Sequence, residues 1–135
     1  MNSMAKPGLA LALSNPRGEP LLLGPYTKVR FDRSELFVEP GGLMAKHADH
    51  RWELTTGQRY SRLESIRRLE VCFESLDGKS SKTLGPFDSF SAVDGILYAD
   101  FHIIAFCDEQ NKDWYSYDLA SHWKAVVIRP CERHG

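Results

Sequence analysis

What is scarce in this chain narrows its reading first. Cysteine occurs three times, at Cys72, Cys107 and Cys131, an odd count without paired spacing. No disulfide framework is therefore expected, and no C-x-x-C unit is present to hold zinc or to cycle a redox pair. Such usage suits a reducing compartment, so a cytoplasmic location is the simplest expectation. Long apolar runs are missing as well: Leu9–Leu13 is shorter than the core of a signal peptide, follows a Pro7-Gly8 break and reads as a strand. No stretch reaches the length needed to cross a bilayer as a helix, so no membrane span is expected. Charge of one sign is nearly balanced, with 17 Lys and Arg against 18 Asp and Glu, so no global field recruits nucleic acid. A phosphate-cradling loop is lacking, because Pro40-Gly41-Gly42 has no following lysine. Neither an internal repeat nor a low-complexity segment is evident, which excludes solenoids and tandem arrays.

What is there suits one domain. The 135 residues, 42% of them hydrophobic, are enough to bury a continuous core without metals or cross-links. The expected unit is 1–135, with flexible tails over 1–8 and 131–135. Charge is uneven along it. Residues 1–69 hold 11 basic and 7 acidic side chains, residues 70–118 hold 3 and 10, and residues 119–135 hold 3 and 1. If the acids of the middle block cluster in space, they make an acidic face suited to a cationic partner.

Short stretches of twofold alternation dominate, separated by turn residues. Leu9–Leu13 and Pro20–Leu23 form a loose first hairpin, followed by strands over 27–32 and 35–39 and the Pro40-Gly41-Gly42 break. Leu43–Arg51 is ambiguous, and Trp52–Thr55 is strand-like. Ser61-Arg62-Leu63-Glu64 fits a capping box and predicts a short helix to about Arg68. Leu69–Phe73 alternates clearly, and Asp77-Gly78 supplies a hairpin turn before Lys82–Phe87. Ser89–Asp94 is expected to make one helical turn. Ile96–Cys107 reads as one long strand whose Leu97, Ala99, Phe101, Ile103, Ala105 and Cys107 face the core. Strands over Trp114–Leu119 and Lys124–Arg129 complete the set. The expected fold is mainly β, with α+β possible: an antiparallel meander forming a sandwich, a partly open barrel or a roll, with one or two short helices. Interruption of the meander by Ser61-Arg62-Leu63-Glu64-Ser65-Ile66 resembles bacterial pleckstrin-homology-like domains, although the long C-terminal helix of that family is missing.

Three groups of residues invite a chemical reading. His47, Asp49 and His50 place two imidazoles and a carboxylate within four residues, a set that can hold a divalent ion if the backbone curls. The run resembles part of the metallo-hydrolase H-x-H-x-D-H motif, with Ala45 where the first histidine belongs. Asp100 and His102, two apart on an extended strand, would stand roughly 7 Å apart on one face, where the carboxylate would favour a charged imidazole. Tyr98 and Phe106 on that face, with Trp114, Tyr115 and Tyr117 from the next strand, would wall a small ligand pocket. Arg59, Arg62, Arg67 and Arg68 offer guanidinium forks to an oxyanion, but Glu64 lies within helical reach of Arg67 and Arg68, and without a stacking platform no nucleic-acid partner is expected. The tryptophans are read as core or pocket wall.

No complete catalytic constellation is present, and no cofactor is implied. The leading expectation is a non-catalytic binding or interaction module. A small-ligand binder using Tyr98, Asp100, His102 and Phe106, or a metal-dependent hydrolase using His47, Asp49 and His50, are the alternatives. A homodimer is also possible, since the central strand looks apolar on both faces.

Overall fold

The computed structural model describes residues 8–55, 62–75, 77–108, 113–116, 122–123 and 125–131. They form fifteen strands in two sheets: β1 Leu9–Ser14, β2 Pro20–Tyr26, β3 Lys28–Asp32, β4 Glu35–Glu39, β5 Gly42–Ala48, β6 Arg51–Leu54, β7 Arg62–Leu63, β8 Leu69–Glu74, β9 Ser81–Phe87, β10 Ser89–Val93, β11 Ile96–Ala99, β12 His102–Asp108, β13 Asp113–Ser116, β14 His122–Trp123 and β15 Ala125–Pro130. The smaller sheet runs β2-β1-β15-β8-β9, and the larger runs β14-β13-β12-β11-β10-β3-β4-β5-β6-β7. Neither closes into a barrel, so the mainly β sandwich or roll read from the sequence is the fold observed. One cluster of buried side chains draws on both sheets, with Leu9, Leu11, Val71, Phe73 and Ile128 from the smaller and Val29, Leu36, Phe90, Leu97 and Ala105 from the larger. Phe73 meets Trp123 across the two sheets, ring centroids 5.9 Å apart.

Twofold alternation is what makes these segments strands. Lys28–Asp32 exposes Lys28, Arg30 and Asp32 and buries Val29 and Phe31, the pattern of a strand with one wet face. Both expected helices are absent among the described residues. Arg62 and Leu63 belong to β7, and the chain from Glu64 to Arg68 has no regular structure. Tertiary demand overrides the capping pattern there: Ile66 is buried, and the Glu64 amide donates to the Ser14 carbonyl, so this segment ties the sheets together. Ser89–Val93 is a strand whose Phe90 is fully buried. With two sheets of five and ten strands, the pleckstrin-homology-like arrangement does not apply. Apart from Gly8 and Cys131, the expected tails lie outside the described residues, as do Arg59, Tyr117 and Leu119.

A second correction is larger. The chain does contain an internal repeat: β1 to β7 recur as β8 to β14 at an offset of about 60 residues. In the larger sheet the halves meet at β3 and β10, where Val29 faces Phe90 and is flanked by the pairs Lys28–Ser91 and Arg30–Ser89. A twofold axis between Val29 and Phe90 exchanges those pairs. Hydrogen bonds obey the same axis: the Phe31 amide donates to the Asp88 carbonyl at 2.6 Å, and the Ala92 amide to the Thr27 carbonyl at 2.8 Å. Each half also carries a β-bulge at one place, Met44 opposite the Leu36–Phe37 step and Ile104 opposite Leu97–Tyr98. Strand β15 breaks the symmetry. It lies between β1 and β8, parallel to the first and antiparallel to the second, because a single strand on a twofold axis cannot relate to both neighbours alike.

The corner that turns each half from the smaller sheet into the larger shows why the repeat left a trace in sequence. Leu23-Gly24-Pro25-Tyr26 and Leu84-Gly85-Pro86-Phe87 occupy equivalent places, and both Gly-Pro bonds are cis. A Cβ on Gly24 would fall 2.8 Å from the Leu9 carbonyl oxygen, and one on Gly85 would fall 2.9 Å from the Glu70 Cβ. Only glycine permits that approach.

Candidate interaction surface

The outward face of the larger sheet separates the two halves. In the first half, one row across the strands reads Asp32, Glu35, Lys46, Glu53 and Arg62, each directly opposite the next. The equivalent row of the second half reads Val93, Ile96, Phe106 and Tyr115, continuing in register to His122. A parallel row behind it holds Arg30, Phe37 and Leu43 in the first half and Ser91, Tyr98 and Ile103 in the second. Charged side chains on a sheet face in water are ordinary. Six neighbouring apolar and aromatic side chains, Val93, Ile96, Tyr98, Ile103, Phe106 and Tyr115, are the informative case. Val93 is 49% exposed, and Ile103 and Phe106 are 40% exposed each.

Two local departures from alternation build this face. Ile96–Cys107 is not one strand. It is the hairpin of β11 and β12, with Asp100 and Phe101 as its turn, both left-handed at φ 48° and 70°. The bulge at Ile104 then shifts the inward and outward sets, so Tyr98 lies opposite Ile103 and Leu97 opposite Ala105. Leu97, Ala99 and Ala105 face the core as expected, but Phe101 and Ile103 are turned out. Phe101 stands at the hairpin tip, 89% exposed. A bulky residue in left-handed backbone is rare, because its Cβ crowds the following carbonyl.

The residues read as a ligand pocket are dispersed by the same hairpin. Tyr98, Phe106 and Tyr115 share the outward face, whereas Trp114 points inward and is buried; Tyr117 lies outside the described residues. Asp100 does not stand beside His102 on a strand face. Its carboxylate Oδ1 accepts hydrogen bonds from the amides of Asp88 at 2.9 Å and Ser89 at 3.0 Å, while Oδ2 lies 3.9 Å from Arg68. The carboxyl thus pins the hairpin tip to the strand corner. His102 is exposed, and its Nδ1 meets the main-chain oxygen of Asp100 at 3.0 Å.

Metal-type residues are not assembled either. His47 lies against the edge of Trp52, ring centroids 5.6 Å apart, and Asp49 and His50 form the left-handed turn between β5 and β6. Among the described residues, no three His, Cys, Asp or Glu side chains come together in a way that could hold an ion. Of the arginines, Arg68 pairs with Asp88 at 2.9 Å, and Glu64 accepts a hydrogen bond from Ser14 instead of serving Arg67 or Arg68. A cleft of about 360 Å³ between Arg33, Arg67, Arg68, Asp32 and Asp88 mixes both signs, which argues against a dedicated oxyanion site.

The three cysteines are free thiols. Cys131 lines a cleft of about 530 Å³ with Arg67, Arg68, Glu70 and Thr83. Burial, aided by Glu70, holds its thiol above the ordinary range, opposite to what a nucleophile needs. Among the described residues no helix is long and apolar enough to cross a membrane. No protein-family model matches this chain, and no curated protein or solved structure matches it.

Proposed function

We propose that this protein is a non-catalytic interaction module whose docking surface is the outward face of β10 to β13 together with the Phe101 tip. The carrying observation is the difference between the halves. Equivalent positions on one scaffold hold Asp32, Glu35, Lys46 and Glu53 in one half and Val93, Ile96, Phe106 and Tyr115 in the other. The first half demonstrates that the fold accepts charge at these places, so stability alone does not demand an apolar row. Aromatic and branched side chains gathered on a rigid sheet are the anchors from which most interface energy comes. The Asp100 carboxylate accepts from two main-chain amides and His102 Nδ1 meets a main-chain oxygen, which supports binding over catalysis at this hairpin.

Writing the first half's residues into the second, as Ile96→Glu with Phe106→Lys, tests this. The variant should keep its melting temperature within a few degrees and lose on the order of a hundredfold or more in affinity for proteins that the wild-type chain retains. The matched change in the other half, Lys46→Ala, should leave retention unchanged. Equal retention by the wild type and the double variant sinks the proposal.

A further inference from the structure

We infer that this chain pairs with a second copy of itself along the free edge of β2, through Leu21, Leu22 and Leu23, joining the two smaller sheets into one. The edge belongs to the other sheet from the apolar row of β10 to β13, so the two surfaces are independent. Hydrogen-bond direction is the first argument. Among the described strands, β2 has β1 on one side and no neighbour on the other. The Ser14 carbonyl of β1 accepts from the Glu64 amide, on the side away from β2, so Ser14 and Pro20 form a pair without mutual hydrogen bonds. Two residues on, with no shift of register between, the same holds for Ala12 and Leu22. The Leu22 N–H and C=O therefore point out of the sheet, beside a side chain that is 70% exposed.

The sheet edges differ in how they are protected. Strands β7 and β14 are two residues long, too short to template another strand. Strand β9 matches β2 in geometry: the Ser75 amide donates to the Ser80 carbonyl, and the same alternation turns the main chain of Thr83 outward as it does that of Leu22. Its Lys82, however, stands where β2 has Leu21, and a lysine on an edge strand opposes pairing. From Pro20 to Tyr26, β2 carries no charge. One half guards its edge and the other leaves it open.

The occupant follows from self-complementarity. Leu21-Leu22-Leu23 reads the same in both directions, so antiparallel pairing about a twofold axis at Leu22 sets leucine against leucine throughout and lets the two Leu22 main chains exchange hydrogen bonds. Leu21 and Leu23 are only partly buried against the core, and a copy completes their cover. Pro20, which has no N–H, falls opposite Gly24 of the copy, where the strand turns into its corner, so the missing donor lies at the end of the pairing. Self-pairing of β9 about Thr83 would instead press Lys82 against Leu84, covering a charge with an apolar group. Each chain thus offers one open edge, and twofold closure uses both and stops at two copies. Three leucines and one strand pair bury less than the about 800 Å² per side of a stable complex, so this dimer is weak and fills as concentration approaches the millimolar range.

The test follows the full chain by sedimentation and by amide exchange from about 10 µM to about 1 mM. Average mass should rise from one chain toward two, and the Leu22 amide should slow in exchange several-fold over that range while the Thr83 amide stays unchanged. Leu22→Lys sets two cations on the axis, and Leu22→Pro removes the outward donor at an edge that tolerates proline. Each should keep the melting temperature within a few degrees and hold the chain single at about 1 mM. Ile96→Glu with Phe106→Lys should leave the dimer intact, which separates this edge from the docking face of the larger sheet. Lys82→Leu with Thr83→Leu opens the second edge, and association should then run past two copies. A wild type that stays single throughout overturns the second copy as occupant; if an added extended peptide of alternating Val and Thr then protects the Leu22 amide, the edge takes a foreign strand instead. A dimer that survives both Leu22 variants is built on another surface, and the pairing is overturned.

Discussion

The two halves of this molecule agree on their inward faces and disagree on their outward ones. Val29 and Phe90 meet at the axis, Leu36 matches Leu97, Ala45 matches Ala105 and Trp52 matches Trp114, all buried. Outside, Glu35 stands where Ile96 does and Lys46 where Phe106 does. Packing fixes the inner set, because a close-packed interior registers the loss of a methylene. Water leaves the outer set open to whatever binding requires. One chain thus contains its own control: a half that shows what the fold needs beside a half that shows something further.

The axis is where that comparison breaks most easily. Phe90 and Val29 are both fully buried and face one another. Phe90→Ala should cost about 3–5 kcal/mol, from lost burial and the cavity left behind. Val29→Ala removes less side chain and should cost about half as much. Urea denaturation should show both midpoints falling with an unchanged slope, the larger fall at Phe90. If Phe90→Ala melts only the second half and leaves β1 to β7 protected from amide exchange, the halves do not share one core.

A smaller change sharpens the outer contrast. Phe101 is 89% exposed, so it buries little, and at φ 70° it bears the crowding of left-handed backbone. Phe101→Gly removes that crowding and should stabilise the fold by about 0.5–1 kcal/mol. The same variant should weaken partner binding, since it deletes the most accessible aromatic ring among the described residues. Stability rising while affinity falls separates a group kept for binding from one kept for folding. If Phe101→Gly instead destabilises the hairpin, the ring has a packing role and the contrast weakens.

Much of the fold was legible because alternation is a strong local signal. Leu69–Phe73 and Glu35–Glu39 read correctly from spacing alone. The errors have definite causes. Ile96–Cys107 looked like one strand because its turn uses Asp100 and Phe101 where Gly or Asn would announce left-handed backbone. Bulges are likewise silent in sequence, and the one at Ile104 turned Ile103 outward and scattered the proposed pocket. The repeat is faint in sequence because the two halves share strand order and register more than residue identity. Its surviving traces are the Leu-Gly-Pro-aromatic corners at Leu23 and Leu84, two tryptophans 62 residues apart and a pattern of buried positions. Those corners fix the offset between the halves and, through it, the exchange of Asp32 for Val93 and of Lys46 for Phe106. Tyr98, Phe106 and Tyr115 do share an outward face, but the turn at Asp100 and Phe101 takes Asp100 out of that row, so the pocket expected beside His102 is not assembled.

The smallest expected difference lies in the first hairpin of each half. Asn15 organises the β1–β2 turn, its side-chain oxygen accepting from the amides of Arg17 and Glu19 at 3.0 Å each. Asp77 organises the β8–β9 turn, accepting from the Ser75 hydroxyl at 2.7 Å and the Lys79 amide at 2.9 Å. Those hydrogen bonds, the hydroxyl first, hold the Asp77 carboxyl below its ordinary range, because they favour the charged form. The sign follows from linkage. A carboxyl whose folded value is depressed contributes stability above its unfolded value and loses it as pH falls through the folded one. The amide of Asn15 does not titrate in this range. Acidification should therefore loosen the β8–β9 turn before the β1–β2 turn, seen as earlier loss of protection at Lys79 and Ser80 than at Arg17 and Glu19. Asp77→Asn should remove that difference, and if the second turn still loosens first in this variant, some other group sets its response to acid.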